Sequence, residues 1–169
     1  MKFVITVGVI VFAFVILVSS YASTLPISLE DRNIDIVKLA FFAFEEGDFT
    51  SLADLYSPDY LQHAPEYVDP VTWTEYELAC RIVHARLPDL QYRIVDIFAA
   101  GDRVAVRSFW EIPIDPSWSE FKLASIITKG SAISIFRIKD GLIIEEWCEY
   151  DPAIIKRFCT AYKSLERLK

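Results

Sequence analysis

The chain has 169 residues, 53% of them hydrophobic and 14% aromatic, with a formal net charge of −7. That is room for one domain with a sizeable core, and it excludes a disordered or low-complexity chain. An acidic balance also argues against a nucleic-acid partner, which selects for a basic stripe; it fits a small or apolar molecule as partner, or simply solubility.

At the N-terminus Lys2 precedes an uncharged run from Phe3 to Val18, followed by Ser19-Ser20-Tyr21-Ala22. A charged start, an apolar middle and a small-residue exit predict a secretory signal peptide over residues 1–22, cut before Ser23. The run is 16 residues long and no charge follows it until Glu30. It is shorter than the roughly 20 residues of a spanning helix, but anchoring in a membrane through residues 3–18 is the competing outcome. Loss of Lys2 with this segment takes the net charge to −7 − 1 = −8. Either outcome implies the secretory pathway and an oxidising compartment, with the domain secreted, extracellular or periplasmic. Three cysteines remain, Cys80, Cys148 and Cys159. No pair has CxxC spacing, all three pairings stay open, and small buried hydrophobes are an equal use for them.

Residues 23–32 read as a linker containing Pro26, ahead of a single domain over residues 33–167. Asn33 as cap and Gly47 as stop predict a helix from Ile34 to Glu46, with Val37, Phe41 and Phe44 on its buried stripe. Asp48 to Tyr56 predicts a short second helix ended by Ser57-Pro58. Asp59 to Pro65, containing Tyr60 and His63, reads as a short extended piece. Thr74 and Glu77 have capping-box spacing, which predicts a third helix running to Arg86, with Leu78, Ile82 and Ala85 inward. His84 falls off that stripe and reads as a boundary residue.

The pattern then switches to period two. Strands are predicted over Tyr92–Ala99 and Arg103–Ile112, joined by Gly101-Asp102, with Val104, Val106, Ser108 and Trp110 on one face. Pro113 to Glu120 is an irregular excursion. Ser131–Ile138 and Leu142–Tyr150 form a hairpin around Asp140-Gly141. Strict alternation puts Ile143, Glu145, Trp147 and Glu149 on one face of the last strand, continuing to Asp151. Leu142, Ile144, Glu146, Cys148 and Tyr150 take the other. One large aromatic among three carboxylates is either the floor of a ligand pocket or a solvated sheet face. Pro152 opens a closing helix to about Arg167. The expected layout is α+β: three helices packed on a strongly curved antiparallel sheet of about four strands, then a helix.

The run from Arg86 to Arg107 resembles the helix-exit, strand, Gly-Asp turn and strand segment of SnoaL-like polyketide cyclases. Ile135 to Trp147, followed by Asp151, resembles that family's last hairpin, and Tyr60-Leu61-Gln62-His63-Ala64-Pro65 its early histidine-proline stretch. The similarity spans residues 34 to 155. It implies the cone-shaped fold of nuclear transport factor 2 around an apolar pocket. It also implies acid/base closure of a ring in a polyketide-like carbonyl compound, without a metal or cofactor. Relatives on that fold include isomerases, dehydratases and non-catalytic binding or dimerisation domains, so fold does not settle function. The chain departs from the family over Ile112–Phe121 and Pro152–Phe158, both flanking the expected pocket mouth.

By that resemblance Asp151 matches the acid/base carboxylate, and a desolvated carboxylate can both remove and return a proton. The plainer use of Asp151 is as an N-cap before Pro152. His63 matches the family's early histidine, which assists at the pocket. Trp147, Tyr60, Trp110 and Trp73 are candidates to line a pocket for a flat substrate. Glu149 is expected near the mouth, and Glu145 is left open. No phosphate loop, nucleophile elbow or metal-ligand cluster is present in the sequence. A homodimer through the outer sheet face is the expected assembly.

Overall fold

The computed structural model describes residues 26–87, 89–111 and 129–153. The predicted signal segment, the stretch expected to be irregular after Glu111, Cys159 and most of the predicted closing helix lie outside these residues. Among the described residues no helix is long and apolar enough to cross a membrane.

Helix α1 spans Leu29–Glu46, α2 Phe49–Leu55 and α3 Trp73–Arg86. The strands are β1 Tyr56–His63, β2 Val71–Thr72, β3 Gln91–Ala100, β4 Arg103–Glu111, β5 Lys129–Lys139 and β6 Leu142–Tyr150. They form one curved, open sheet in the order β2-β1-β6-β5-β4-β3. The α+β, nuclear-transport-factor-2-like expectation is met, with three helices against the sheet.

Helix α1 begins five residues earlier than Ile34. Ser28 is its cap, with Oγ accepting from the Asp31 N–H at 2.9 Å. Asn33, expected as the cap, is instead buried inside the helix, and its Nδ2 donates to the Gly101 carbonyl at 2.9 Å. That bond ties α1 to the β3–β4 turn. Gly47 ends α1 with φ +68°, a left-handed value that glycine takes at little cost.

The capping box of α3 is Thr72 with Glu75, not Thr74 with Glu77. Leu78 (58% exposed) faces outward, Ile82 (43%) and Ala85 are exposed but line the cavity described below, and Trp73, Tyr76, Cys80 and Val83 face in. The sheet has two strands more than expected because Tyr56–His63 pairs in parallel with β6 and carries β2 on its free edge. Pro58, which has no N–H to donate, and a register irregularity between Tyr56 and Leu61 hid this strand. The core joins Val37, Ala40 and Ala43 of α1 to Val104, Val106, Phe136, Ile138 and Ile143 on the helix-covered face of the sheet.

Candidate active site

One extra residue decides which side chains of β6 face the helices. Ile138 pairs with Ile143 and Arg137 with Glu145, so Ile144 stands opposite nothing, a β-bulge. Alternation restarts after it. Ile143 is buried toward the helices, and so are Glu146 and Cys148. Glu145, Trp147 and Glu149 point to the outer face. The sequence pattern had joined Ile143 to that outer set, and the bulge separates them.

Between the helices and this face of the sheet lies a cavity of about 530 Å³. Phe41, Phe44, Val83, Leu87, Leu90 and Tyr92 make its apolar end. Toward β6 and β1 the walls turn polar, with Gln62, Ser134, Glu146 and Cys148. Glu66, Tyr67 and Tyr150 also line it, and the Tyr150 hydroxyl donates to Glu66 Oε1.

Glu146 is 4% exposed. The Tyr60 hydroxyl donates to its Oε2 at 2.8 Å, and Gln62 Nε2 donates to the same oxygen at 3.4 Å. Burial pushes the Glu146 carboxyl above the ordinary carboxylate range, and the side chains of Tyr60, Ser134 and Gln62 pull partly against that rise. Tyr60 is itself fully buried, held by Tyr56 at 4.8 Å and Tyr76 at 5.3 Å between ring centres, with Trp73 stacked on Tyr56 at 4.7 Å. Burial, reinforced by the Glu146 charge, raises the phenols of Tyr56 and Tyr60 well above their usual value, so both are hydrogen-bond donors at neutral pH. Cys80 and Cys148 are free, buried thiols on the cavity wall, each pushed up to about 12 by desolvation.

A carboxyl that is desolvated yet hydrogen-bonded on one oxygen, opening on an apolar cavity, is equipped to take up and return a proton. Among the described residues no cluster of three or more His, Cys, Asp or Glu is arranged to hold a metal ion.

The residues picked from sequence do not assemble here. His63 lies on the outer face, its Nε2 2.9 Å from Glu145 Oε1 and its ring stacked on Trp147 at 5.3 Å. Arg137 holds the other Glu145 oxygen at 2.7 Å. Asp151 is exposed, and its Oδ1 accepts from the Ala153 N–H at 2.9 Å, the capping geometry weighed against a catalytic one. Glu149 is exposed as well. Of the four aromatics, Trp110 lines the cavity, Tyr60 and Trp73 sit behind its polar end, and Trp147 is on the far side of the sheet. Sequence reasoning passed over Glu146. The available signal was a lone carboxylate among Leu142, Ile144, Cys148 and Tyr150, which is the pattern of a buried acid. Three carboxylates around a tryptophan is the pattern of a solvated face.

The fold agrees with the comparisons. A family model of the SnoaL-like domain matches residues 37–146. Among solved structures, IdmH of Streptomyces antibioticus, a candidate polyketide cyclase, is 23% identical with a TM-score of 0.60, over 75% of this chain and 98% of that one. An LEH-like epoxide hydrolase of M. tuberculosis is 15% identical with a TM-score of 0.61, over 84% of this chain and 100% of that one. AclR of Streptomyces galilaeus is 19% identical with a TM-score of 0.58, over 74% and 94%. No curated protein matches. At these identities the structural likeness carries the fold alone, but the family match covers most of the chain, and the protein belongs to the SnoaL-like domain family.

Proposed function

We propose that this domain is an acid/base enzyme of the cyclase, isomerase or dehydratase kind, acting on a small apolar carbonyl compound in the cavity. Glu146 is the proton carrier. The observation that carries this reading is the buried Glu146 carboxyl, raised by desolvation, bonded by Tyr60 and open to an apolar space. Its ionised form removes a proton from the carbon beside the carbonyl, and the electron pair moves onto the carbonyl oxygen. The resulting acid then returns the proton at a second position. Tyr60 is a positioning residue: its bond fixes the carboxyl rotamer and tempers the rise in pKa. The Ser108 hydroxyl on the cavity wall is a neutral donor for a developing enolate oxygen, whereas the Ser134 hydroxyl already donates to Cys148 Sγ at 3.1 Å.

Exchange of the protons beside the carbonyl of apolar ketones in D₂O, followed by proton NMR, tests the step without a known substrate. Wild type should accelerate exchange and Glu146→Gln should lose about 10²–10⁴-fold of that acceleration. Equal rates for Glu146→Gln and wild type would sink the assignment, as would Asp151→Asn or His63→Gln losing the activity while Glu146→Gln keeps it.

A second reading, a binding and dimerisation domain, is favoured by one observation. Phe98 (65% exposed) and Ile133 (56%) stand on the outer face of the sheet beside Ile135 and Trp147. We read this face as a homodimer contact. Sedimentation of wild type as a monomer at micromolar concentration would remove it. Action after export, with residues 1–22 cleaved or retained as an anchor, is part of the same proposal. N-terminal sequencing of the exported protein decides between the two.

A further inference from the structure

We infer that the ligand of this cavity carries an anionic group at the end away from Glu146, and that Arg86 binds it. The inference rests on the cavity being a ligand site and names the class of ligand: an elongated apolar body with a neutral carbonyl at one end and a carboxylate at the other.

Three charged side chains line the cavity: Glu66, Arg86 and Glu146. The two carboxylates already have donors, Tyr150 for Glu66 and Tyr60 for Glu146. Arg86 has no hydrogen bond or ion pair among the described residues. Arg81, five positions back on the same helix, contrasts with it, since it is neutralised by Glu77 at 2.7 Å. Arg86 is the last residue of α3, ten positions beyond Tyr76, whose ring packs on Tyr60 at the Glu146 end. At about 1.5 Å per residue the helix separates the two ends by about 15 Å. Between them the wall is apolar, with Phe44, Val83 and Leu87.

Two effects oppose an anion at Arg86: the net charge of −7 and the carbonyl end of α3. The first is screened beyond about 8 Å at physiological ionic strength, while a guanidinium bonded to a carboxylate acts at contact. The local cation therefore dominates. Arg86 is exposed, and the gain is that of an exposed pair, at most about fivefold in affinity.

A dimethylaminonaphthoyl-cyclohexanecarboxylic acid and its methyl ester share a ketone and an apolar body and differ only in the terminal charge. Their affinities follow from probe fluorescence at neutral pH on the full domain. The acid should bind up to about fivefold tighter than the ester. Arg86→Gln should bring the acid down to the level of the ester and leave the ester unchanged. Arg86→Lys should keep most of the preference, Glu146→Gln should not alter the acid-to-ester ratio, and added salt should shrink it. Equal affinity of the two probes for wild type, or equal loss of both in Arg86→Gln, overturns the inference and leaves the Glu146 reading standing. Failure of both probes to bind overturns both.

Discussion

Replacing Glu146 by Gln should remove one component of the pH dependence of stability, and its sign follows from burial. The folded-state pKa of Glu146 is raised above the ordinary 4.5, so the folded chain holds that proton more tightly than the unfolded chain does. The stability this group contributes is fully present below about pH 4.5 and is lost as pH rises through the folded pKa, at up to about 1.4 kcal/mol per pH unit. Glutamine has no proton to lose. The unfolding free energy of Glu146→Gln minus that of wild type, from urea titrations across pH, should therefore climb above about pH 4.5 and then level off. Asp48 and Glu75, whose carboxyls are lowered by bonds from Ser51 and Thr72, slope the other way but cancel in the difference. Tyr60→Phe supplies a second arm. The 2.8 Å bond it removes is worth about 1.5–3 kcal/mol to an ionised carboxylate and about 0.5–1.5 to a neutral carboxyl. The penalty for Tyr60→Phe should thus grow by about 1 kcal/mol across the same window. A flat difference curve, with a Tyr60→Phe penalty independent of pH, would mean that Glu146 is not desolvated. The proposed proton carrier would fall with it.

Two further outcomes follow from the cavity wall. Gly130→Ala would put a Cβ 2.0 Å from Cζ2 of Trp110, so the indole must leave its place against β5; a loss of about 1–3 kcal/mol and altered Trp fluorescence are expected in thermal melts. Unchanged melting would show that Trp110 has room to yield. Cys80 and Cys148, with thiols pushed up to about 12, should react with a disulfide reagent at pH 8 about a thousandfold more slowly in the native chain than in urea, and about tenfold faster per added pH unit. Site-resolved mass spectrometry reads this, and native rates equal to unfolded ones would place the thiols in solvent.

The sequence made the fold legible because its strongest signals are local. Gly47, Asp140-Gly141 and the alternating Val104, Val106, Ser108 and Trp110 each impose a backbone geometry whatever surrounds them. The hairpin strand Leu142–Tyr150 was bounded correctly to the residue. Its facing was not, and this is where the candidate site lay. A bulge adds one residue without any compositional mark: Ile144 is as good a strand residue as Ile143 or Ile138, and only pairing with β5 shows that it is surplus. Counting by twos from Ile143 carried an inward phase into Glu145, Trp147 and Glu149, which face out. The resemblance reinforced the error by favouring Asp151 and His63, at the ends of β6 and β1.

Burial logic independent of register points the other way. A carboxylate is tolerated at 4% exposure only where donors satisfy it. Tyr60 and Gln62 sit two residues apart on a strand that runs parallel to β6, with Gln62 paired to Glu146 itself. Two donors on the adjacent strand aimed at one acid in an apolar row are the physical reason Glu146 can be buried at all. They were invisible from the sequence because Tyr60 and Glu146 are 86 residues apart and meet only once a parallel pairing, not a hairpin, has been made. What the chain spends on holding that acid out of water is the strongest argument that the acid is used. An apolar residue of similar size would fill the same place on the sheet without needing either donor.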